Sequence, residues 1–289
     1  RPLCLGKLNG GWVVASETCA FDHLGAQFIR ELDPGEIVVI DKNGVASHRI
    51  FEAAQQRAFC IFEYIYFARP DSVMNSRLLY QARERMGERL WHEHPVDADV
   101  VIGTPDSAIP AAIGFARASG IPYSEGLIKN RYVGRTFIQP DQRIRELGVR
   151  LKFNPMPEVL NGKKVVVVDD SIVRGTTTPR VVQLLRRAGA REVHLRISSP
   201  PITNPCFFGV DMATKNELIG AQKTIPEIQE YVGADSLGYL SLDGLHWAIN
   251  VEGNGFCTAC LSGNYPVPVQ LELDKLALEV GESTKKRPS

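Results

Sequence analysis

The sequence predicts an α/β protein, a parallel sheet with helices on both faces preceded by a β-rich segment, and three observations carry that expectation. Short apolar runs such as Val165-Val-Val-Val168 suit strands buried on both faces of a parallel sheet. Between residues 72 and 197 such runs alternate with helical patterns, the order that crossover connections produce. Ahead of them, Gly10 to Phe51 reads as strands and a hairpin.

Taken in order, Gly11-Trp-Val-Val-Ala15 and Glu36-Ile-Val-Val-Ile40 are strands, and Asn43-Gly44 between apolar runs signals a hairpin. The texture changes near residue 52, where a domain boundary is expected. Residues 72 to 92 read as a helix, Asp99 to Gly103 as a buried strand, and Ile109 to Ser119 as a helix closed by Gly120. Val165 to Val168 is the next strand. The helix Pro179 to Arg187 carries Val181, Val182, Leu184 and Leu185 and stops at Ala188-Gly189, after which Val193 to Ile197 is again a strand. Residues 129 to 158 and 199 to 206 look like loops, and 282 to 289 form a polar tail expected to be disordered. The expected division is 1–52, 53–250 and 251–289.

With 289 residues, 44% of them hydrophobic, the chain can bury a large core in one large domain or two smaller ones. Its 33 basic and 33 acidic residues cancel, which argues against a general nucleic-acid or membrane-surface binder and makes any anion site local. No apolar run approaches the roughly 18 residues of a membrane span, and Arg1-Pro-Leu-Cys-Leu-Gly6 does not form a signal peptide. A soluble, cytoplasmic protein is expected, or a plastid one in a plant. Its first residue is Arg rather than Met, so a processed chain or a fragment is expected.

The chemistry concentrates in Val165 to Thr178. Asp169 and Asp170 close the apolar strand, at the carboxyl end where open α/β sheets place ligands. Ser171, Ile172, Val173, Arg174, Gly175, Thr176, Thr177 and Thr178 then supply backbone N–H groups and hydroxyls. Pro179 opens a helix whose free N–H groups and dipole favour a phosphate. Two aspartates after a strand can simply cap a helix. A cap needs one acceptor, however, and here two carboxylates stand beside a dense set of phosphate donors. Carboxylates hold Mg²⁺ or sugar hydroxyls, and Gly175 lets the backbone approach a phosphate closely. On the residues alone this is a phosphate and polyol site.

Two further segments are weaker on their own. Gly103, Thr104, Pro105, Asp106 and Ser107 lie between a strand and a helix start and form a second anion cradle, though turns of this composition are common. Lys129 to Ile138 holds Lys129, Arg131, Tyr132, Gly134 and Arg135. Such a segment is usually a solvated loop, but it has the cations and the hinge glycine of a lid.

Six cysteines are present: Cys4, Cys19, Cys60, Cys206, Cys257 and Cys260. An intracellular chain makes structural disulfides unexpected, and Cys257-Thr-Ala-Cys260 reads as a redox pair or half of a zinc site. The strand and helix setting of a thioredoxin-like motif is missing. His92-Glu93-His94 reads as solvated surface, and the aromatic run Phe59 to Phe67 as packing.

The Asp-Asp-Ser run with its glycine and threonines resembles the signature of the type I phosphoribosyltransferases. That resemblance implies their fold, with the acidic pair addressing ribose hydroxyls and metal-bound substrate and residues 171–178 wrapping the 5-phosphate of phosphoribosyl pyrophosphate. It also implies pyrophosphate at Gly103 to Ser107, Mg²⁺ held with help from Ser107, and a lid at 129–138.

Three cysteine segments, Phe59 to Asp71, Pro200 to Asp211 and Phe256 to Gly263, are similar to those of the glutamine phosphoribosylpyrophosphate amidotransferases. The likeness runs from Arg1 to about residue 268. It implies that Cys60, Cys206, Cys257 and Cys260 hold the [4Fe-4S] cluster of one branch of that family, although four thiolates would also suit zinc. Cys4 and Cys19 match no ligand position.

Members of that family begin with a glutaminase domain whose N-terminal cysteine attacks glutamine. Residues 1–52 resemble the end of such an N-terminal-nucleophile domain, so they are expected to be its remnant, without the nucleophile. The implied activity is that of an amidophosphoribosyltransferase in purine synthesis, with ammonia in place of glutamine, Mg²⁺ as cofactor, purine nucleotides as feedback inhibitors and a homo-oligomer, tetrameric in the family. The alternatives are a phosphoribosyltransferase acting on a nucleobase and a non-catalytic regulator that binds phosphoribosyl pyrophosphate.

Overall fold

The computed structural model describes residues 2–49, 57–132, 152–212, 214–250 and 255–269. The expected boundary at 52 and the tail lie outside them. Strands β1 (Cys4–Leu8), β2 (Gly11–Ala15) and β3 (Gln27–Glu31) form an antiparallel sheet of order β2-β1-β3. Helix α1 (Cys19–Leu24), which the sequence did not announce, covers it and buries Cys19 and Phe21. Strands β4 (Glu36–Asp41) and β5 (Gly44–Arg49) make the expected hairpin. Asp41 pairs with Gly44, so Lys42-Asn43 is the turn and the glycine opens the return strand.

Side chains in its turns tie this β-rich part to residues 69–73. The Glu17 carboxylate accepts from Arg69 N and Ser72 Oγ at 2.8 Å each, and Thr18 Oγ1 accepts from Val73 N at 2.8 Å. Strand β6 (Phe59–Cys60) leads into a π-helical turn at Glu63–Phe67, a short hairpin β7 (Val73–Met74) and β8 (Arg77–Leu78), and helix α2 (Leu79–Glu93). The helix expected from residue 72 thus begins at 79, because Asn75 and Ser76 adopt positive φ in the hairpin turn. Leu79, Ala82, Arg83, Met86, Gly87 and Leu90 form its buried stripe at helical spacing.

The central sheet is wholly parallel, with β14 (Ser236–Tyr239), β13 (Glu192–Ile197), β12 (Lys164–Asp169) and β9 (Val100–Gly103) side by side in that order. Strand β9 (Val100–Gly103) is followed by α3 (Ile109–Ser119), which ends at Gly120 in the left-handed region, as expected. Strands β10 (Leu127–Lys129) and β11 (Phe153–Pro155) pair antiparallel and lead to α4 (Pro157–Leu160), so the stretch expected to be a loop carries structure at both ends.

Strand β12 (Lys164–Asp169) connects through the glycine-threonine loop to α5 (Thr178–Arg187), and β13 (Glu192–Ile197) follows. Pro179 is the second residue of α5 rather than the first. Beyond lie α6 (Ile219–Gln222), α7 (Ile225–Val232), β14 (Ser236–Tyr239), α8 (Leu242–Ile249), β15 (Phe256–Cys257) and α9 (Ala259–Ser262). Strand β15 returns to pair with β6.

The alternation of the valines decides which helices cover which face. Val166, Val168 and Val101 pack with α2, α3 and α8, while Val165, Val167, Val100, Ile102 and Val193 pack with α5 and α7. Each fully buried valine contributes about 1.5–3 kcal/mol by leaving water.

Helices α2 and α3 touch backbone to backbone. A Cβ at Gly87 would sit 1.8 Å from Ala111 O, and one at Gly114 would sit 1.8 Å from Glu84 O.

His92-Glu93-His94 departs from the expected solvated surface. Only His92 is exposed. Glu93 accepts from Ser241 N and Ser241 Oγ at 2.7 Å each, and His94 Nε2 meets Tyr239 O at 2.8 Å, so the tripeptide anchors α2 to the β14–α8 connection. Among the described residues, no helix is long and apolar enough to cross a membrane.

Candidate active site

Two loops leave the carboxyl edge of the central sheet at the same level. Thr104 N donates to Val168 O at 2.9 Å and Ser198 N to Asp169 O at 2.9 Å, so strand pairing continues to the point where the Asp169-Asp170 pair begins. Asp170 N donates to Asp169 Oδ1 at 2.9 Å. Ser107 Oγ donates to Asp170 Oδ2 at 2.5 Å and Ser171 Oγ to Asp170 Oδ1 at 2.6 Å. The structure therefore brings the two sequence-predicted anion loops together on one carboxylate.

Burial, and then the negative charge of Asp170, push Asp169 well above the usual carboxylate range. Burial also raises Asp170, against the hydroxyls of Ser107 and Ser171 and the charges of Arg83 and Lys152. Two adjacent carboxylates out of water favour a cation that shares their charge. Mg²⁺ suits them, since it typically takes one or two carboxylates and completes its shell with water and substrate phosphate. Thr104 Oγ1 is buried without a well-formed hydrogen bond, although its hydroxyl draws the Asp169 pKa down. Ser199 Oγ and Tyr239 OH are also buried and unpartnered, after β13 and at the end of β14. The Tyr239 phenol is pushed up by burial and by the charge of Asp169. Polar capacity thus remains along this edge for a ligand or water.

The loop 171–178 is built for close approach. Gly175 has φ +68°, and a Cβ there would lie 2.5 Å from Ile219 Cδ1 and 3.3 Å from Tyr231 Cε1. Thr177 caps α5 without a side-chain hydrogen bond; Pro179 has no N–H and Arg180 N donates to Thr177 O at 3.1 Å, so the helix start offers an anion the Thr178 N–H. Ile172 and Thr178 are buried and Thr176 is exposed. Ile172 packs in the core, so its backbone rather than its side chain faces the loop interior. Arg174 is engaged away from the loop, with Glu217.

In the other loop, a Cβ at Gly103 would come within 3.1 Å of Ala112 Cβ and Ile109 Cα, so the glycine eases a close approach of β9 to α3. The Pro105–Asp106 peptide is cis. Asp106 forms an ion pair with Lys129 Nζ, which joins this loop to the root of the predicted lid. Arg131 and Tyr132 follow, and the Tyr132 ring is 99% exposed. Gly134 and Arg135 lie outside the described residues.

The four implied cluster ligands lie near one another, beside the Glu63–Phe67 turn. Cys60 and Cys257 are register partners on β6 and β15, and Cys260 stands on α9. Thr203 N and Asn204 N donate to Cys260 O at 3.0 and 3.1 Å, which brings the Cys206 loop alongside. Burial, then Cys60, Cys206 and Cys257, push the Cys260 thiol up to about 12. Among the described residues, no three Cys, His, Asp or Glu side chains converge closely enough to share one metal ion. Four thiols are a donor set that suits a [4Fe-4S] cluster and would also suit zinc.

The phosphoribosyl transferase domain family matches residues 75–198, which hold both anion loops and the aspartates. The amidophosphoribosyltransferase of Synechocystis sp. is 55% identical over 284 residues, covering 96% of this chain and 57% of that protein. The chain belongs to the amidophosphoribosyltransferases. The relative from Archaeoglobus fulgidus is 54% identical over 271 residues, 93% of this chain and 59% of its own.

Among solved structures, glutamine phosphoribosylpyrophosphate amidotransferase from B. subtilis complexed with ADP and GMP matches with TM-score 0.86 and 51% identity, over 94% of this chain and 60% of that one. A structure described as the allosteric regulatory enzyme of purine biosynthesis matches with TM-score 0.87 and 51% identity, over 94% and 59%. The chain thus spans somewhat under two thirds of these amidophosphoribosyltransferase relatives. Its fold is the type I phosphoribosyltransferase fold, preceded by the β-rich residues.

Two basic residues that no sequence motif marks act on the amidophosphoribosyltransferase aspartates. Arg83 is 2% exposed and donates to Tyr64 O at 2.8 Å and Ala68 O at 2.7 Å, with Asp170 first among the carboxylates acting on it. Its signal was present: it lies four residues after Leu79 and three before Met86, on the apolar stripe of α2. Lys152 is half-buried where β10 meets β11, and Lys129, Asp169, Asp170 and Asp106 all act on its charge. It looked like one more cation in a loop, and only the strand pairing places it here.

Proposed function

We propose that this chain carries the phosphoribosyl-transfer half of an amidophosphoribosyltransferase, the first committed step of purine nucleotide synthesis. Phosphoribosyl pyrophosphate and ammonia, supplied in the whole protein by glutamine with release of glutamate, give 5-phosphoribosylamine and pyrophosphate. The single observation that carries the reading is the Asp169-Asp170 pair at the end of β12, bound by Ser107 of one anion loop and Ser171 of the other.

In this mechanism the nitrogen lone pair forms a bond to the sugar carbon. The bond from that carbon to the pyrophosphate oxygen breaks, the electron pair leaves with pyrophosphate, and the nitrogen gives a proton to water. Asp169 and Asp170 hold the ribose hydroxyls and a Mg²⁺ ion, which supplies neutralising charge for pyrophosphate when bound. Ser107 orients Asp170. The backbone of 103–107 receives pyrophosphate, and that of 171–178 receives the 5-phosphate on the start of α5. Catalysis then consists of positioning, charge neutralisation and exclusion of water.

Neither described thiol of the β-rich part suits attack on glutamine. Cys4 is 1% and Cys19 4% exposed, and burial pushes Cys4 up to about 11. Free ammonia is the nitrogen source that the described residues support. Cys60, Cys206, Cys257 and Cys260 would hold a [4Fe-4S] cluster in a structural or oxygen-sensing role, since the reaction transfers no electrons. The relative solved with ADP and GMP supports purine nucleotides as regulators here too. A homo-oligomer completes the reading.

Pyrophosphate release is measured with Mg²⁺, phosphoribosyl pyrophosphate and either ammonium or a panel of nucleobases. Turnover with ammonium alone is expected. Turnover only with a nucleobase would reassign the acceptor, and release with neither, despite donor binding, would make the chain a regulator.

A further inference from the structure

We propose that Glu217 is a positioning residue for the 5-phosphate loop, and that Arg174, held by its carboxylate, braces that loop from outside instead of binding phosphate. This rests on the phosphoribosyl reading of residues 171–178 and adds to it a wall that no motif marks.

Arg174 lies between Val173 and Gly175 at the centre of the loop, where a cation is readily taken for a phosphate ligand. Its guanidinium is turned to the segment after the Cys206 loop. Nε and Nη2 both donate to Glu217 Oε2, at 3.0 and 2.7 Å, and Asp211 Oδ2 stands 3.8 Å from Nη2. Glu217 Oε1 accepts from Thr214 Oγ1 at 3.2 Å, which fixes the carboxylate from its other side. A phosphate would have to compete with two carboxylates for this guanidinium. Phosphate already has the Thr178 N–H at the start of α5, the loop N–H groups and the threonine hydroxyls.

Neighbouring residues repeat the contact. Ile219 N donates to Val173 O at 3.0 Å, and Ile219 Cδ1 occupies the space beside Gly175 where a Cβ would stand at 2.5 Å. Leu218 and Ile219 are 0% and 5% exposed, so the wall itself is rooted in the core. Residues 217 to 219 therefore meet 173 to 175 by an ion pair, a backbone hydrogen bond and a side-chain contact. An exposed ion pair on a mobile surface is worth only about 0–1 kcal/mol, much of it lost to ordering two side chains. Here both partners stand on backbone that is already fixed, so the pair acts on where the loop sits.

The test uses the full chain, with steady-state pyrophosphate release and melting temperature for each variant. Glu217→Gln and Arg174→Ala should each raise KM for phosphoribosyl pyrophosphate about 5–10-fold with kcat within about twofold, the pattern of lost ground-state binding. The double variant should be no worse than either single one, and Arg174→Glu with Glu217→Arg should recover most of the affinity, because the two side chains act as one unit. An Arg174→Ala penalty near a hundredfold, with Glu217→Gln unaffected and the swapped pair folded but unrescued, would overturn the proposal and make Arg174 a phosphate ligand. Calorimetric titration of the wild-type chain with ribose 5-phosphate separates the two failures. Absence of wild-type binding would remove the phosphoribosyl reading itself, whereas wild-type binding that both single variants retain at full affinity would remove only the brace.

Discussion

Ser107 Oγ donates to Asp170 Oδ2 across 63 positions of sequence, tying the loop after β9 to the loop after β12 at 2.5 Å. The same carboxylate takes a second hydroxyl from Ser171, so both of its oxygens are satisfied before any ligand arrives. That arrangement keeps a buried carboxylate oriented and eases its ionised form.

Ser107→Ala should therefore cost about 1–3 kcal/mol at the carboxylate, the usual penalty for a buried acceptor left unpaired. Loss of such an orienting contact weakens metal binding about 10–100-fold. The expected result is a higher Mg²⁺ requirement for ammonia-dependent pyrophosphate release, read by Mg²⁺ titration at saturating donor. An unchanged titration would mean that Ser107 does not serve the metal.

Asp169→Asn combined with Asp170→Asn should lower ammonia-dependent turnover at least about 100-fold, as expected when preorganised charge is removed from a site. The melting temperature should hold or rise, because two buried charges disappear. Near-normal turnover in this double variant would refute the site assignment.

The cysteines make a separate prediction. Protein purified without oxygen should be brown and carry iron and sulfide, and Cys257→Ser should lose both colour and metal. A colourless protein with stoichiometric zinc would exclude the cluster.

His194 gives a pH dependence with a definite sign. It is 6% exposed, with Nδ1 2.9 Å from Ser236 Oγ and Nε2 3.1 Å from Glu192 Oε2. Burial holds its pKa below the usual 6.5, against the raising effect of Glu192. The fold thus favours the neutral ring. Its contribution to stability is complete above pH 6.5 and is lost as pH falls from there through the lowered folded value. Urea unfolding between pH 7.5 and 5 should show a steeper loss for wild type than for His194→Gln, and parallel curves would show that the ring does not titrate on unfolding.

Much of the sheet and of the site was legible because local signals and the fold agree there. Four consecutive valines, two aspartates and a glycine-threonine loop each demand the structure they adopt, and Ile109 to Ser119 ended where Gly120 said it would. What stayed hidden depends on partners far away in sequence. Helix α1 is short and sits among strands, whereas α7 opens on a capping box of Thr224 and Glu227 that the sequence does display. His92-Glu93-His94 looks solvated until Ser241 and Tyr239 fold against it. The partner of Arg174, Glu217, lies 43 residues on, and nothing beside the loop announces it.

The reciprocal contact of Gly87 and Gly114 sets a tolerance for the whole site. Gly87→Ala or Gly114→Ala would bring a methyl group within 1.8 Å of a carbonyl oxygen and force the two helices apart, at about 3 kcal/mol or more. Helix α3 begins where the 103–107 loop ends, so it would carry that displacement to Ser107 and its grip on Asp170. Two absent methyl groups thus act as the gauge blocks of the machine: they set a spacing at one end of a helix that is read out at the other.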